Sequence, residues 1–260
     1  MIHIKRAPDT ETAFLVMKEG FSDYMIPLGL SLEVFQERIL KRDGNQLEHS
    51  FIAYHGERPV AIWLNGLKTI KKKTVMRCGG LGVDPQYRRL GIAKALYEAQ
   101  LSYAKSLNVD CLMLEVIQGN EPAISLYQKF GYRTVDELGY FLREEPDQTE
   151  PLIEIDAVAF ERRYIQQGEY IWQQDQTVMK QAQAQYFELD GAFIATAHES
   201  IFAIVTEEEE EVARIATEAT RRLTGTRYQL QSTNQQVWKD LRQAGWKQRE
   251  LKQFVMSQTI

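Results

Sequence analysis

The stretch Leu81-Gly82-Val83-Asp84-Pro85-Gln86-Tyr87-Arg88-Arg89-Leu90-Gly91-Ile92-Ala93 decides the fold of this chain. It begins as an apolar strand end and turns at Asp84-Pro85. It then continues through a basic loop into apolar residues at helical spacing. A helix that starts in this way exposes unpaired backbone N–H groups at the positive end of its dipole, and such groups bind phosphate. Gly91 permits close approach of the main chain, and Arg88 and Arg89 add charged donors. The stretch therefore predicts a pyrophosphate cradle.

A second segment supports the cradle against the plain alternative, which is a solvated Arg-Arg pair in a surface loop. Cys111–Val116 is an apolar run typical of a buried strand, and Gln118-Gly119-Asn120 breaks it. The pattern next predicts a helix over 121–130. This helix should end at Gly131-Tyr132, because glycine just after the last helical residue is a common stop signal.

Together the two segments resemble the GCN5-related N-acetyltransferase (GNAT) superfamily. Its acetyl-coenzyme A pyrophosphate motif is similar to Leu81-x-Val83-x-Pro85-x-x-Arg88-x-x-Gly91-x-Ala93. Its second motif is similar to Leu114-Glu115-Val116 followed by Asn120-x-x-Ala123-x-x-x-Tyr127-x-x-x-Gly131-Tyr132. The resemblance extends over residues 1–145. It implies an α/β fold with a mixed, mostly antiparallel sheet, helices on both faces and splayed central strands.

The resemblance also implies which residues bind the co-substrate, acetyl-coenzyme A (acetyl-CoA). The expected binding residues are Leu81, Gly82, Val83, Arg88, Arg89, Leu90, Gly91, Ile92, Ala93 and Asn120. Main-chain groups at Leu81–Val83 should hold the pantetheine arm, and Asn120 should hydrogen-bond the pantetheine or its strand. Helix capping is the alternative role for Asn120.

Tyr127 and Glu115 are the expected catalytic residues. Tyr127 aligns with the tyrosine that protonates the departing thiolate. A phenol suits that step because its pKa of about 10 exceeds that of a thiol, about 8.5. Glu115 interrupts an apolar strand, where a carboxylate is costly unless it is hydrogen-bonded or faces a cleft. It is the candidate base, directly or through water. The alternatives are a core aromatic for Tyr127 and a structural carboxylate for Glu115.

The acceptor wall is expected after the first helix. Phe21–Leu28 is aromatic and apolar, is interrupted by Pro27, and precedes a helix predicted over 31–40. In the GNAT superfamily this segment lines the acceptor pocket. Tyr24, Met25 and Ile26 are therefore the expected substrate-binding residues, although a plain packing loop fits the sequence equally well.

Composition narrows the class of protein. The 260 residues are 44% hydrophobic, which suffices for one large or two modest domains. No apolar run approaches eighteen residues, so neither a membrane span nor a secretory signal is expected. Cys78 and Cys111 make no disulfide framework and indicate a reducing, cytoplasmic setting.

The net charge and the histidine content argue against a nucleic-acid-binding protein and against a metalloprotein. The net charge of −5 argues against a nucleic-acid partner, and Lys71-Lys72-Lys73 is expected to be a solvated turn. The four histidines are scattered, without the carboxylate or cysteine spacing of a metal site, so no metal is expected.

The second half of the chain repeats the pattern of the first. An exposed linker is predicted over 144–151, which gives an acetyltransferase domain at 1–146 and a second domain at 151–260. Asn234 to Gly245 spans as many positions as Asn120 to Gly131, and predicted strands and helices follow the same order. By analogy, residues 151–260 form a second, shorter copy of the fold.

The second copy lacks the chemistry of the first. At the start of its predicted helix, Glu207 to Leu223, stand the carboxylates Glu207–Glu211, which satisfy a helix N-terminus and repel a diphosphate. Gln229 and Leu241 stand where the first half has Glu115 and Tyr127. A merely solvated helix start explains the glutamate run as well.

Three functions fit these patterns. The first is transfer of an acetyl group from acetyl-CoA to a primary amine, with a small molecule as the foremost acceptor. The second is acetylation of a protein N-terminus or lysine. The third is a non-catalytic acyl-CoA sensor or assembly module, suggested by the decayed second copy. No membrane or nucleic acid is expected as a partner, and a homodimer stays open.

Overall fold

A computed structural model of the chain describes residues 1–70, 72–144, 150–164 and 171–260. These residues divide into two compact units, Met1–Asp136 with Phe254–Ile260, and Glu137–Gln253. Lys71 of the predicted lysine turn and 145–149 of the predicted linker lie outside the described residues. The domain limits 1–146 and 151–260 follow from the predicted linker at 144–151, and they stay a prediction.

The helices and strands up to residue 144 are β1 (Ile2–Arg6), α1 (Thr10–Gly20), α2 (Leu32–Val34), β2 (Gln46–His55), β3 (Arg58–Ile70), β4 (Lys73–Val83), α3 (Ile92–Ser106), β5 (Cys111–Ile117), α4 (Glu121–Lys129) and β6 (Arg133–Glu144). Helix α2 starts at the N-cap Ser31 and continues as a π-helix, Phe35–Arg42, so most of the helix predicted over 31–40 has π rather than α geometry. A short 3-10 helix, Pro85–Tyr87, precedes α3.

Strand β3 illustrates how the first unit buries its apolar residues. Ala61 and Trp63 belong to a buried cluster with residues of α3 and α4. Their neighbours Ile62 and Leu64 belong to a different cluster, with residues of α1. Alternation along the strand thus sends successive side chains to opposite faces, each covered by helices. Each such apolar side chain, fully buried, contributes roughly 1.5–3 kcal/mol. The predicted helices on both faces of the sheet are confirmed.

The central strands of the first unit diverge, as predicted. Strand order runs β1-β2-β3-β4-β5, with antiparallel pairs except for the parallel pair β4 and β5. Registered pairing of β4 with β5 ends at Cys78 and Leu114. Strand β4 nevertheless continues to Val83, and β5 to Ile117. The mixed, mostly antiparallel sheet with splayed central strands is therefore confirmed.

Helix α4 lies where the sequence predicts it. Asn120 caps its start, since the Asn120 side chain accepts a hydrogen bond from the Ala123 N–H at 3.4 Å. The helix stops before Gly131, whose φ of 96° is a left-handed conformation that favours glycine. These two signals fix which residues of α4 face the sheet, and Tyr127 is one of them.

The remaining helices and strands are β7 (Ile153–Ile155), α5 (Ala157–Tyr164), α6 (Gln176–Gln181), β8 (Gln185–Leu189), β9 (Ala192–Ala197), β10 (Ser200–Val205), α7 (Val212–Arg222), β11 (Arg227–Ser232), α8 (Gln235–Gln243) and β12 (Lys247–Thr259). In the second unit the strand order is β6-β11-β10-β9-β8-β7, and β10 and β11 run parallel. Its largest buried cluster includes Trp238 and Leu241 of α8 with Ile215 and Ala216 of α7.

In the second unit one helix begins later than the sequence predicts. The helix expected from Glu207 begins as an α-helix only at Val212, after a 3-10 turn, Glu209–Glu211. Glu207 and Glu211 are four positions apart, and like charges at that spacing oppose a regular helical turn. Of the helices in the described part of the chain, none has the length and apolar character needed to cross a membrane.

Candidate active site

A cavity of about 640 Å³ lies in the first unit, beside the diverging end of β4. The predicted site residues that line it are Tyr24, Met25, Leu81, Val83, Arg88, Arg89, Gly91, Ile92, Ala93, Asn120 and Tyr127. It is also lined by residues for which no role was predicted: Gly20, Phe21, Asp23, Tyr87, Lys94, Pro122, Ala123 and Leu126. Four predicted residues are not part of this lining: Ile26, Gly82, Leu90 and Glu115.

The loop before α3 presents backbone donors to the cavity. The first hydrogen bond of α3 runs from the Ala95 N–H to the Gly91 carbonyl at 3.0 Å, so the N–H groups of 91–94 precede it. Gly91 caps the helix in a left-handed conformation, φ 77°, and no side chain caps this end. A Cβ added at Gly91 would find no atom within 4 Å. Backbone donors, open space and the adjacent Arg89 fit a diphosphate.

Arg88 lines the same cavity, but its guanidinium has partners within the protein. It forms a two-pronged ion pair with Asp23, at 2.7 and 2.6 Å. Arg88 also donates to the carbonyls of Val83 at 3.1 Å and Gly20 at 3.2 Å. Its role as a phosphate donor stays a prediction.

Tyr127 combines burial with a place in the cavity lining. It is 8% exposed and packs edge-on against Trp63 and Tyr132, with ring centroids 6.3 and 5.8 Å apart. Burial raises its pKa well above the usual value, and the neighbouring Cys78, Tyr132 and Tyr24 act in the same direction. The phenol therefore keeps its proton at neutral pH, as a proton donor must.

Glu115 lies in a buried ion pair. Arg77 Nε donates to Glu115 Oε2 at 2.7 Å, and the two side chains are 10% and 2% exposed. Burial alone would lower the pKa of Arg77, but the Glu115 carboxylate outweighs it and holds that pKa above its ordinary value. Glu115 Oε1 is buried and accepts no hydrogen bond from a described residue. The Glu115 carboxylate, which interrupts an apolar strand, is thus compensated by the Arg77 guanidinium.

The opposite wall of the cavity is aromatic. Phe21 and Tyr24 pack edge-on with centroids 5.0 Å apart, and Met25 is 53% exposed beside them. Burial raises the pKa of Tyr24, and the neighbouring Asn120 side chain acts in the opposite direction. Asn120 caps α4 and also lines the cavity, and its hydrogen bond to the pantetheine or its strand stays a prediction. Ile26 is half-buried and lies outside the lining.

The corresponding residues of the second unit satisfy one another. Asn234 Nδ2 donates to Glu209 Oε2 at 2.7 Å, while no side chain caps the 3-10 turn Glu209–Glu211 or the start of α7. Gln229 Nε2 donates to Ser200 Oγ at 2.8 Å, and Leu241 is fully buried. Across the described part of the chain, no three His, Cys, Asp or Glu side chains gather as metal ligands would.

Comparison with known proteins identifies the family. The sequence profile of the Acetyltransferase (GNAT) family matches residues 16–132. The matched residues lie in the first unit, which is therefore an acetyltransferase domain of the GNAT type. The family resemblance drawn from the two motifs is confirmed.

Individual relatives match part of the chain. An N-alpha-acetyltransferase of Sulfurisphaera tokodaii is 38% identical over 85 residues, which are 32% of this chain and 50% of the relative. A thialysine N-epsilon-acetyltransferase of Caenorhabditis elegans is 29% identical over 98 residues, 37% of this chain and 61% of the relative. The chain thus spans less than two thirds of each of these relatives.

A solved structure is similar over nearly the whole chain. It is a GCN5-related N-acetyltransferase from Sphaerobacter thermophilus, with a TM-score of 0.66 at 11% identity. The match covers 99% of this chain and 95% of that one. At this identity the likeness concerns the fold alone.

Proposed function

We propose that the first unit transfers the acetyl group of acetyl-CoA to a primary amine. One observation carries this proposal: a single cavity is lined both by the donor-rich start of α3 and by the protonated phenol of Tyr127. Acetyl-CoA is the co-substrate of the GNAT family. A cradle without an acid would suffice for a protein that only binds CoA, so the two features together favour catalysis.

Binding of acetyl-CoA uses two stretches of backbone. The N–H groups of 91–94, with Arg89, take the diphosphate. The pantetheine arm lies along Leu81–Val83, whose other edge is paired with β3 while registered pairing with β5 has already ended. The main-chain groups on that open edge are available to orient the thioester carbonyl.

The chemical step needs one acid. The lone pair of the amine attacks the thioester carbonyl carbon, the C–S bond breaks, and the electron pair leaves with sulfur. Tyr127 gives its proton to that sulfur, the new amide nitrogen releases a proton, and the phenol is reprotonated from solvent. A general acid of this kind contributes on the order of 10²–10⁴-fold to the rate.

Glu115 has two competing roles in this mechanism. As a base it would accept the proton of the amine, directly or through water. As a structural residue it would compensate the buried charge of Arg77. The 2.7 Å ion pair and the position of Glu115 outside the cavity lining favour the structural role.

The acceptor is a primary amine, with a small molecule as the leading candidate. The relatives' names divide between N-alpha and N-epsilon acetylation, so a peptide N-terminus is the second candidate. The aromatic wall formed by Phe21 and Tyr24 suits an acceptor with an apolar group beside its amine. A cytoplasmic setting, with Cys78 and Cys111 as free thiols, is part of the same proposal.

The second unit is proposed to be a degenerate copy that binds no CoA. Its helix start carries the carboxylates Glu209–Glu211, which repel a diphosphate, and Asn234 is engaged with Glu209. A buried leucine, Leu241, stands at the position that corresponds to the acid Tyr127.

Light scattering of the full chain in solution tests whether it forms a homodimer.

Release of free thiol from acetyl-CoA tests the activity. The amine panel contains putrescine, glucosamine, lysine and peptide amides with N-terminal alanine, serine or methionine. Tyr127→Phe should lose at least a hundredfold in turnover, whereas the matched control Tyr132→Phe, which removes a buried hydroxyl outside the cavity lining, should stay within threefold. If CoA binds but no amine is acetylated, the sensor replaces the enzyme as the function.

A further inference from the structure

Each of the three nitrogens of the Arg88 guanidinium donates a hydrogen bond within the protein. Nη1 and Nη2 grip the two carboxylate oxygens of Asp23, at 2.7 and 2.6 Å. Nη2 also reaches the Gly20 carbonyl at 3.2 Å, and Nε reaches the Val83 carbonyl at 3.1 Å. This planar fork matches a carboxylate, and its geometry is specific to arginine. A phosphate would have to displace Asp23 to use the same donors.

The residues that Arg88 holds form one wall of the cavity. We call Gly20–Met25 the acceptor loop. Its first residue touches the backbone of β4, since a Cβ at Gly20 would lie 2.7 Å from the carbonyl carbon of Gly82. The Phe21 ring packs against Gly82, because a Cβ added at Gly82 would lie 2.9 Å from that ring. Gly82, expected to contact the cofactor, is thus a packing contact for this loop.

The far end of the acceptor loop shares the cavity with the start of the catalytic helix. Tyr24 lines the cavity together with Asn120, the N-cap of the helix that carries Tyr127, and the Asn120 side chain acts to lower the pKa of the Tyr24 phenol. The loop is held beside the cradle through the ion pair of Asp23 with Arg88. Phe21, Tyr24 and Met25 of the loop line the cavity that an incoming amine would enter.

We propose that Arg88 is a positioning residue for the acceptor loop and not a phosphate donor. Its ion pair with Asp23 fixes the acceptor wall relative to the thioester that the neighbouring cradle holds. This inference rests on the proposed acetyl transfer. Loss of the pair leaves CoA affinity unchanged and weakens the productive binding of the amine.

The ion pair is suited to mutational analysis because its side chains are 40% and 54% exposed. Pairs with that exposure add little to global stability, so variants of either residue should fold. The informative set is Asp23→Asn, Arg88→Ala, their double variant and the conservative Arg88→Lys. Arg89→Ala, a neighbour proposed to face the diphosphate, is the matched control.

The first measurement is calorimetric titration with CoA, which needs no acceptor. Arg88→Ala and Asp23→Asn should each bind CoA within about twofold of the parent, whereas Arg89→Ala should bind at least fivefold more weakly. The inference is overturned if Arg88→Ala weakens CoA binding tenfold, or if Asp23→Asn tightens it by releasing the guanidinium toward phosphate.

The second measurement is amide hydrogen exchange in 20–27. It should accelerate at least tenfold in either single variant and equally in the double variant, since two residues that act as a pair are non-additive. Arg88→Lys should fall between the parent and Arg88→Ala, and Arg89→Ala should match the parent. Unchanged exchange in Arg88→Ala contradicts the inference, whether or not any amine is acetylated.

The third measurement uses the panel amine with the highest turnover. Either single variant should raise its KM about tenfold while kcat falls less than threefold, and the double variant should do no worse. A general loss of structure would instead lower kcat and thermal stability together. If the panel shows no turnover at all, the proposed function fails, and the first two measurements still decide the role of Arg88.

Discussion

Replacing Gly91 by alanine separates two effects, the backbone strain of the cradle and the loss of phosphate binding. Gly91 has a φ of 77°, and a non-glycine residue in the left-handed region costs roughly 1–2 kcal/mol. The added Cβ meets no atom within 4 Å, so no packing clash is expected. In the proposed complex with CoA, the diphosphate takes that space. Losing one charge-assisted hydrogen bond costs about 1.5–3 kcal/mol, which is about 10- to 150-fold in Kd.

Gly56 provides the matched control for this substitution. It has a φ of 61° in the turn between β2 and β3, and a Cβ there also meets no atom within 4 Å. Gly56→Ala should lower the free energy of unfolding as much as Gly91→Ala does, in a denaturant titration. Calorimetry with CoA should then show weaker binding for Gly91→Ala alone. Equal CoA affinities for the two variants would refute the assignment of the cradle.

Three further predictions follow from the buried groups. Burial raises the pKa of Tyr127, so kcat should show no fall from phenol ionisation up to about pH 10, and a falling limb near pH 8 that disappears in Tyr127→Phe would contradict this. Burial also raises the pKa of Tyr132, so the folded chain keeps phenol protons that the unfolded chain releases near pH 10. The free energy of unfolding should therefore fall as pH rises from 9 to 11, and a rise there would contradict the sign. Glu115→Gln should lose about 3 kcal/mol of stability, because Arg77 loses its carboxylate partner, whereas the exposed Glu98→Gln should lose less than about 0.5. If Glu115 is structural, kcat of the folded Glu115→Gln variant should stay within about threefold of the parent. A hundredfold loss of kcat would instead identify Glu115 as the base.

The cradle and the order of strands and helices could be predicted because their signals are local. Glycine at a helix start, the Asn120 cap and the stop at Gly131 each act within a few residues of their own position. The apolar alternation of the strands likewise needs only neighbouring positions. These local features are therefore enough to predict the course of the backbone around the site.

The side-chain partners could not be predicted because they join distant parts of the chain. Nothing near Arg88 marks Asp23 as its partner, and nothing in β5 marks Arg77 as the partner of Glu115. Motif position alone therefore predicted that Arg88 binds the diphosphate and that Glu115 acts as the base. The aromatic character of the Phe21–Leu28 segment was the available signal for the acceptor wall; Tyr24 and Met25 line the cavity, Ile26 does not, and their contact with the substrate stays a prediction.

The central claim is that the two halves of the chain differ in their capacity to bind CoA. Calorimetric titration of the full chain with CoA tests this most directly, because it counts sites without requiring an acceptor. We expect one molecule of CoA per chain, with binding lost when Arg89 and Gly91 are replaced together. Two molecules per chain, none, or undiminished binding in that double variant would contradict the account.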